Sequence, residues 1–305
     1  MEKYGVFLGE VALDEYYDIG RWPGAGEKVY INPIESIPGG MVANAACVSS
    51  SLGFKTYFSY VLNRGDVSKL LIGDLNKYGV DTSFVAYDDN LPDSKVMLFM
   101  SGSDHTILIP FYEISQIDIG EKGLELLKSA EFVYTTPSAI KLLRCGNTDS
   151  DEIIDAFRSS GTKLVFDFDV DYLQDKNEDI YKNLDIGFFN EAGFRSVMGG
   201  READETAGHL INLGMELVVV TYGSRGCIVY GKDKKESVNA KKVDVVDVTG
   251  AGDTFCASFM VELTSGKSPR EAALFATSAA AVCISGFGAR SGAVGRKTVL
   301  EMLGK

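Results

Sequence analysis

The chain has 305 residues, of which 45% are hydrophobic, so it is long enough to bury a large core. Its net charge of −13 and its pI of about 4.7 argue against general binding to nucleic acids or anionic membranes, which requires basic surfaces. The sequence has no apolar run of about 18 residues and no signal-peptide layout, so we expect no membrane association.

The five cysteines are dispersed and form neither a Cys-x-x-Cys pair nor a cluster with histidine. An odd, scattered set is typical of reduced thiols in a core, and indicates neither a disulfide framework nor a zinc site. We therefore expect a cytoplasmic protein.

Strand-like and helix-like segments alternate along most of the chain. Short apolar runs predict strands at residues 4–8, 56–61, 132–135, 164–168, 186–189 and 217–221. Helical periodicity predicts helices at residues 39–52, 66–78, 151–159, 203–213, 251–263 and 269–285. This alternation predicts an α/β fold with a largely parallel central sheet.

Residues 14–36 and 84–112 break the alternation, because they contain short strand-like runs with no helix between them. Strand pairs outside βαβ units predict a small separate sheet, which could close over a site as a lid. An antiparallel edge of the main sheet is an equal alternative.

Two polar features follow early predicted elements. Asp14 comes shortly after the first strand, so we expect its carboxylate at the carboxyl end of that strand, where it could accept hydrogen bonds from hydroxyl groups. The pair Gly39-Gly40 opens the first helix and lets a ligand approach the backbone, and Asn44 lies about one turn further on. From the residues alone, both features could also be ordinary turns.

The stretch Thr221-Tyr-Gly223-Ser-Arg-Gly226 follows a predicted buried strand. It could lie against phosphate groups, or it could be a hairpin turn into a strand that begins at Cys227. The chain contains no P-loop and no Gly-x-Gly-x-x-Gly after a strand. This disfavours P-loop enzymes and dinucleotide-binding oxidoreductases.

The most informative stretch is residues 247–255, Asp-Val-Thr-Gly-Ala-Gly-Asp-Thr-Phe. A glycine turn that leads into a helix presents free N–H groups and a favourable dipole to an anion. Asp253 would repel a phosphate there, unless it removes a proton from the attacking hydroxyl. The helix that follows has an amphipathic pattern, with Phe255, Phe259 and Leu263 on one face. A tight turn with an ordinary first-turn aspartate is the alternative.

This stretch resembles the C-terminal signature of the PfkB (ribokinase-like) carbohydrate and nucleoside kinases, and Gly39-Gly40 with Asn44 resembles their N-terminal signature. The resemblance extends from about Leu8 to Ala289. It implies a ribokinase-like three-layer α/β/α fold in a single domain, with a mostly parallel central sheet and a small β-sheet lid from residues 14–36 and 84–112. The implied activity is ATP-dependent phosphorylation of a sugar or nucleoside hydroxyl.

The resemblance also implies roles for individual residues. Asp253 would be the general base, and three backbone N–H groups would stabilise the transferring phosphoryl group, those of Gly250, Ala251 and Gly252. Four residues would bind the acceptor: Asp14, Gly39, Gly40 and Asn44. Five residues would place ATP and its magnesium: Asn190, Thr221, Gly223, Gly226 and Thr277.

Two positions depart from the family pattern. The family's Asn-x-x-Glu motif begins here at Asn190, but Gly193 stands in place of its glutamate, for which Glu191 could substitute. Thr277 stands where many members have an asparagine near the adenine. These departures leave open a catalytically weak homologue that only binds sugar or nucleotide.

The resemblance further implies a monovalent cation, such as K⁺, near Asp247, Thr249 and Ser291. The stretch from Asp167 resembles an Asp-x-Asn-x-Arg motif of ketodeoxygluconate kinase and fructokinase-type members, but Asp169 and Asp171 replace its asparagine and arginine. An acid in place of a base argues against a sugar acid, so we expect a ribose- or fructose-like sugar or a nucleoside. Lid strands could also pair between subunits in a homodimer.

Overall fold

The protein is described here by a computed structural model that covers residues 2–101, 104–110, 113–168 and 178–304. Its strands are β1 (Tyr4–Leu8), β2 (Ala12–Asp18), β3 (Asn32–Gly39), β4 (Lys55–Ser59), β5 (Val61–Leu62), β6 (Ala86–Tyr87), β7 (Lys95–Ser101), β8 (Asp104–Leu108), β9 (Ile117–Asp118), β10 (Phe132–Thr135), β11 (Leu143–Arg144), β12 (Lys163–Phe168), β13 (Ile186–Asn190), β14 (Leu217–Thr221), β15 (Cys227–Gly231) and β16 (Lys234–Val238). Its helices are α1 (Met41–Ser51), α2 (Asp66–Lys77), α3 (Gly120–Lys128), α4 (Pro137–Ile140), α5 (Ser150–Ser159), α6 (Asp179–Lys182), α7 (Glu191–Val197), α8 (Ala203–Asn212), α9 (Ala251–Thr264), α10 (Pro269–Ile284) and α11 (Arg296–Leu303).

Among the described residues, eight strands form the central sheet in the order β16-β15-β14-β13-β12-β10-β1-β4. The six strands from β14 to β4 pair in parallel, while β15 and β16 add an antiparallel edge. The middle strands are buried along most of their length, as expected for a parallel sheet covered by helices on both faces. The predicted three-layer α/β fold with a mostly parallel sheet is confirmed.

A second, smaller sheet has the strand order β3-β2-β7-β8. Its strands come from the two regions that break the α/β alternation, so the prediction of a separate sheet is confirmed and the alternative of an edge on the main sheet is wrong. Residues 111 and 112, at the end of the predicted lid region, lie outside the described residues. Asp14 lies within β2, not at the carboxyl end of β1 as we expected, because the chain passes directly from β1 into the small sheet.

The predicted helices agree with the structure to within two residues at each end. The amphipathic character expected for α9 is wrong, since every residue from Thr254 to Glu262 is buried. The cause is packing on several sides, because α9 lies against both α1 and α10. A helix so enclosed is apolar around most of its circumference.

The longest helix in the described part of the chain is α10, with 16 residues. None of the described helices combines the length and the apolar composition that crossing a bilayer demands.

Candidate active site

The turn before α9 brings the chain to the carboxyl edge of the central sheet. Gly250 is the N-cap residue and has a φ of 76°, which few residues other than glycine adopt. A Cβ on Gly250 would overlap the carbonyl oxygen of Ala289, so this glycine is also required by close backbone packing. The helix dipole and the first-turn N–H groups of α9 make this end attractive to anions.

A cavity of about 140 Å³ lies at this end of α9. Strands β12, β13 and β14 each contribute a polar residue from their carboxyl ends, and the first turn of α9 contributes its own backbone and carboxylate. The lining residues are Met41, Asp167, Phe188, Phe189, Asn190, Thr221, Gly252, Asp253 and Cys256. The structure thus brings the predicted base Asp253 together with two of the residues predicted to place ATP, Asn190 and Thr221.

Asp253 is linked to the predicted acceptor residues by one hydrogen bond. Asn44 Nδ2, in the first turn of α1, donates to Asp253 Oδ2 at 2.8 Å. The two residues are 209 positions apart in the sequence, so the close packing of α1 against α9 creates this contact. It joins the N-terminal and C-terminal signature motifs into one site.

Arg290 contacts Asn44 and Gly39 in this network and was missed by the sequence analysis. Its Nε donates to Asn44 Oδ1 at 3.0 Å, one Nη donates to the Gly39 carbonyl at 3.2 Å, and the other pairs with Asp74 of α2. Its sequence context gives no indication of these partners.

The carboxylate of Asp14 lies against Gly39. A Cβ on Gly39 would overlap Asp14 Oδ2. Burial raises the pKa of Asp14 to about 6, although the guanidinium of Arg290 opposes that rise. Gly40 has a φ of 96°, and a Cβ there would press on the backbone of Glu10 and Val11 at 2.7 Å. The double glycine therefore lets the turn pass close to β2 and leaves room for Asp14.

Asp167, at the end of β12, is a second acid in the cavity and lies beside a buried phenol. Tyr134 Oη donates to Asp167 Oδ2 at 2.5 Å, and burial raises the pKa of Tyr134 well above its ordinary value. Burial likewise raises the pKa of the Cys256 thiol well above its ordinary range, so that thiol stays protonated. Asp169 and Asp171, in the motif that begins at Asp167, lie outside the described residues.

Asn190 performs a structural task as well as lining the cavity. Its Oδ1 accepts from the backbone N–H of Gly193 at 2.7 Å and so caps α7. Glu191, the possible substitute for the missing glutamate, instead pairs with Arg195 at 2.5 Å and with Arg225. It is absent from the residues that line the described cavity.

Of the other residues predicted for ATP, Thr221 lines the cavity and Gly223, Gly226 and Thr277 do not. Thr221 ends β14 and lines the cavity, and Gly223, with a φ of 56°, begins a short 3-10 turn that makes β14 and β15 a hairpin. A Cβ on Gly226 would overlap the Val238 carbonyl, so strand packing demands glycine there. Thr277 is buried in α10, and its hydroxyl donates to the Ala273 carbonyl at 2.6 Å.

The three residues predicted near a monovalent cation form one cluster. Asp247 Oδ1 accepts from the N–H and the hydroxyl of Thr249 at 2.9 and 2.7 Å, and its Oδ2 accepts from Gly288 N at 2.9 Å. Ser291 Oγ donates to the Gly288 carbonyl at 2.7 Å. The cluster consists mainly of oxygen ligands, which suit a hard cation.

The sequence and the fold were compared with known proteins. Residues 3–294 match the pfkB family of carbohydrate kinases. A ribokinase of Arabidopsis thaliana is 27% identical, and the match covers 98% of this chain and 80% of the ribokinase. Fructokinase-2 of Oryza sativa is 26% identical, with 93% and 89% covered. The structure of the Arabidopsis thaliana ribokinase complexed with ribose and ATP superimposes with a TM-score of 0.85 at 25% identity, and 99% of each chain is covered.

The site and the comparisons identify the same class of protein. The matched ribokinase and fructokinase are phosphotransferases that use a hydroxyl group as acceptor, and this chain is of the same class. The chain belongs to the pfkB family of carbohydrate kinases.

Proposed function

We propose that this chain is an ATP-dependent kinase for a small neutral sugar of the ribose or fructose type. The similarity to a ribokinase and to fructokinases supports this acceptor class. The observation that carries the proposal is the 2.8 Å hydrogen bond from Asn44 to Asp253, because it joins the turn that we propose for the acceptor to a carboxylate in the first turn of α9.

In the proposed reaction, Asp253 takes the proton of the acceptor hydroxyl as the oxygen attacks the γ-phosphorus of ATP, and ADP leaves. The N–H groups of Gly250, Ala251 and Gly252 stabilise the charge on the transferring phosphoryl group. Asp14, Gly40 and Asn44 hold the acceptor through its other hydroxyls. Orientation of both reactants accounts for a large part of the rate in such transfers.

Magnesium fits the cavity as a partner of ATP. The oxygen ligands it favours are present in Asp167 and Asn190. Among the described residues, no group of three or more acidic, histidine or cysteine side chains could hold a metal by itself. Magnesium would therefore depend on the phosphate oxygens of ATP for several ligands, as is usual for this ion. K⁺ would occupy the cluster of Asp247, Thr249 and Ser291.

A nucleoside is the second candidate acceptor, and a specific cavity favours it. A space of about 460 Å³ is lined by Ala12 and Val96 of the small sheet and by apolar side chains such as Tyr60, Leu91 and Leu142. Ala12 and Asp14 lie two residues apart in β2 and so share one face of the strand. A flat aromatic base could occupy this space while its ribose contacts Asp14.

A substrate panel tests the proposal. ADP release should be measured with ATP and ribose, fructose, adenosine, other nucleosides or 2-keto-3-deoxygluconate. Fastest release with ribose or fructose supports the proposal, and fastest release with a nucleoside favours the second candidate. Best activity on the keto sugar acid would overturn the acceptor class. Binding of sugar or nucleotide without any ADP release would instead establish the catalytically weak homologue.

The small sheet supports a proposed homodimer. Its two edge strands, β3 and β8, both carry exposed apolar residues, including Ile34 and Ile107. Unpaired apolar edges of this kind favour pairing with another chain. We place such a contact at the small sheet, where it would also cover the acceptor side.

The cysteines support a cytoplasmic location for the proposed kinase. All five are free thiols, and four of them are buried. Thiols persist in a reducing compartment, which also contains the ATP that the reaction requires.

A further inference from the structure

The side chain of Arg290 is only 7% exposed, and it contacts three separate elements. It comes from the loop between α10 and α11 and reaches the Gly39 carbonyl at the end of β3, Asn44 in α1 and Asp74 in α2. Asp74 is also mostly buried, with 18% of its side chain exposed. The guanidinium charge is thus neutralised within the protein, and Arg290 does not offer it to a ligand.

The contacts of Arg290 determine which way the Asn44 amide points. A guanidinium can only donate hydrogen bonds, and a carboxylate can only accept them. Asn44 Oδ1 faces Arg290 Nε at 3.0 Å, and Asn44 Nδ2 faces Asp253 Oδ2 at 2.8 Å. A flipped amide would set donor against donor at Arg290 and acceptor against acceptor at Asp253.

We propose that Arg290 is a positioning residue that acts through Asn44 on Asp253. Its Nε–H fixes the Asn44 amide, and the amide holds the carboxylate that receives the acceptor proton. Its bond to the Gly39 carbonyl fixes the acceptor turn in the same arrangement. The inference rests on the proposed function, because it concerns the residue that removes the proton.

The ion pair with Asp74 explains how such an arginine is held in place. A buried ion pair often contributes no more stability than apolar residues of similar size. What an apolar pair cannot supply is a directed N–H for Asn44. Removing both charged groups together should therefore change kcat more than stability, and this separates a positioning role from a purely structural one.

The test is a double-mutant cycle in the full-length protein. The variants are Arg290→Met with Asp74→Leu, Asn44→Ala, and all three changes together. We expect the first variant to lower kcat on the order of 10- to 100-fold, as misplaced catalytic groups do, with little change in KM for ATP. Asn44→Ala should lower kcat little further in that background, because interacting residues are not additive. Independent, multiplicative losses would overturn the proposal.

Arg290→Lys is the second variant, since it keeps a positive charge beside Asp74 but has no Nε–H fork for Asn44. It should fold and still lose kcat, and wild-type kcat in Arg290→Lys would contradict the role. Arg158→Met is the matched control, because Arg158 forms a partly buried pair with Asp185 away from the site, at 3.2 Å. It should lower stability and leave kcat unchanged.

Hydrogen exchange of the Asn44 side-chain amide, followed by NMR, gives a result that does not depend on turnover. Exchange should be slow in the wild type and faster in Arg290→Lys. Equal exchange in both proteins would overturn the positioning role even if the enzyme proved inactive. A wild type that releases no ADP with any acceptor would contradict the proposed function alone.

Discussion

Two glycines of the turn at α9 are constrained in different ways, although they lie two residues apart. Gly250 has a positive φ and no room for a Cβ beside Ala289. A Cβ on Gly252 would have no atom within 4 Å, and Gly252 faces the cavity. The fold therefore requires Gly250, whereas Gly252 leaves space that a phosphate group would fill.

Alanine substitution should separate these two constraints. Gly250→Ala should lower the free energy of unfolding by about 2 kcal/mol or more, because it combines a left-handed backbone with a steric overlap. Gly252→Ala should keep or raise stability, by up to about 1 kcal/mol from helix propensity, and should raise KM for ATP. Denaturant unfolding and ADP-release kinetics check both effects. Equal stability of the two variants, or wild-type kinetics in Gly252→Ala, would contradict this assignment.

The carboxyl group of Asp14 gives the site a pH dependence. Because burial raises its pKa to about 6, it is mostly protonated at pH 5 and mostly ionised at pH 7. Only the ionised form accepts hydrogen bonds with both oxygens. The folded-state pKa lies above the ordinary value of 3.8, so the contribution of Asp14 to stability decreases as pH rises from about 4 to about 6.

We expect kcat/KM for the acceptor to rise with pH through about 6 and then to level off. Asp14→Asn should weaken acceptor binding and remove this rise, since the amide does not titrate in that range. The measurement is a pH profile of kcat/KM for both proteins at constant ionic strength. If kcat/KM still rises with pH in Asp14→Asn, the rise belongs to another group.

The site residues that the sequence analysis predicted have neighbours close in the sequence, whereas the partners of the residue that it missed are distant in the sequence. Gly250, Gly252 and Asp253 lie within one turn, so the prediction of their chemistry needed only local sequence. Arg290 contacts Asn44 and Asp74, which are 246 and 216 positions away, and nothing near Arg290 indicates them. Such contacts arise only when α1, α2 and the loop after α10 pack together.

At the level of elements, periodicity predicted the strands and helices that alternate around the central sheet. Helices α3, α4, α6, α7 and α11 were not predicted, and the amphipathic pattern assigned to α9 was wrong. The pattern around Phe255 and Phe259 suggested one apolar face, but α1 and α10 enclose the helix. How many neighbours bury a helix depends on the packing of distant elements, which local patterns do not show.

The small sheet offers a test of the proposed dimer. Ile34 is 54% exposed on the edge strand β3, so Ile34→Lys should weaken pairing between subunits and shift the protein toward monomers. Leu70→Lys is the matched control, because Leu70 is 49% exposed on α2, outside the small sheet. This change should leave the proportion of dimer unaltered. Sedimentation equilibrium gives the masses. A monomeric wild type, or an unchanged dimer in Ile34→Lys, would contradict the proposed contact.

At the level of the whole molecule, the net charge of −13 opposes the binding of ATP. In the proposed site, local N–H groups and magnesium would overcome this repulsion over short distances. Screening acts mainly on charges farther apart than the Debye length, which is about 10 Å at 0.1 M salt. Moderate salt should therefore reduce the distant repulsion more than it reduces the local attraction.

We expect KM for ATP to fall as ionic strength rises from about 0.01 to about 0.15 M, with little change in KM for a neutral sugar. The sugar serves as an internal control, because it carries no charge. Initial rates at fixed magnesium and pH give both constants. A KM for ATP that rises over this range would show that local attraction dominates the field of the protein.

The most direct test of the central claim is the turnover of Asp253→Asn. The amide keeps the size of the side chain, and its oxygen can still accept from Asn44, so calorimetry should show that sugar and ATP bind as in the wild type. The amide cannot take the acceptor proton, so we predict that kcat falls on the order of 10²- to 10⁴-fold. A kcat near the wild-type value, with binding intact, would contradict the role of Asp253 as the base.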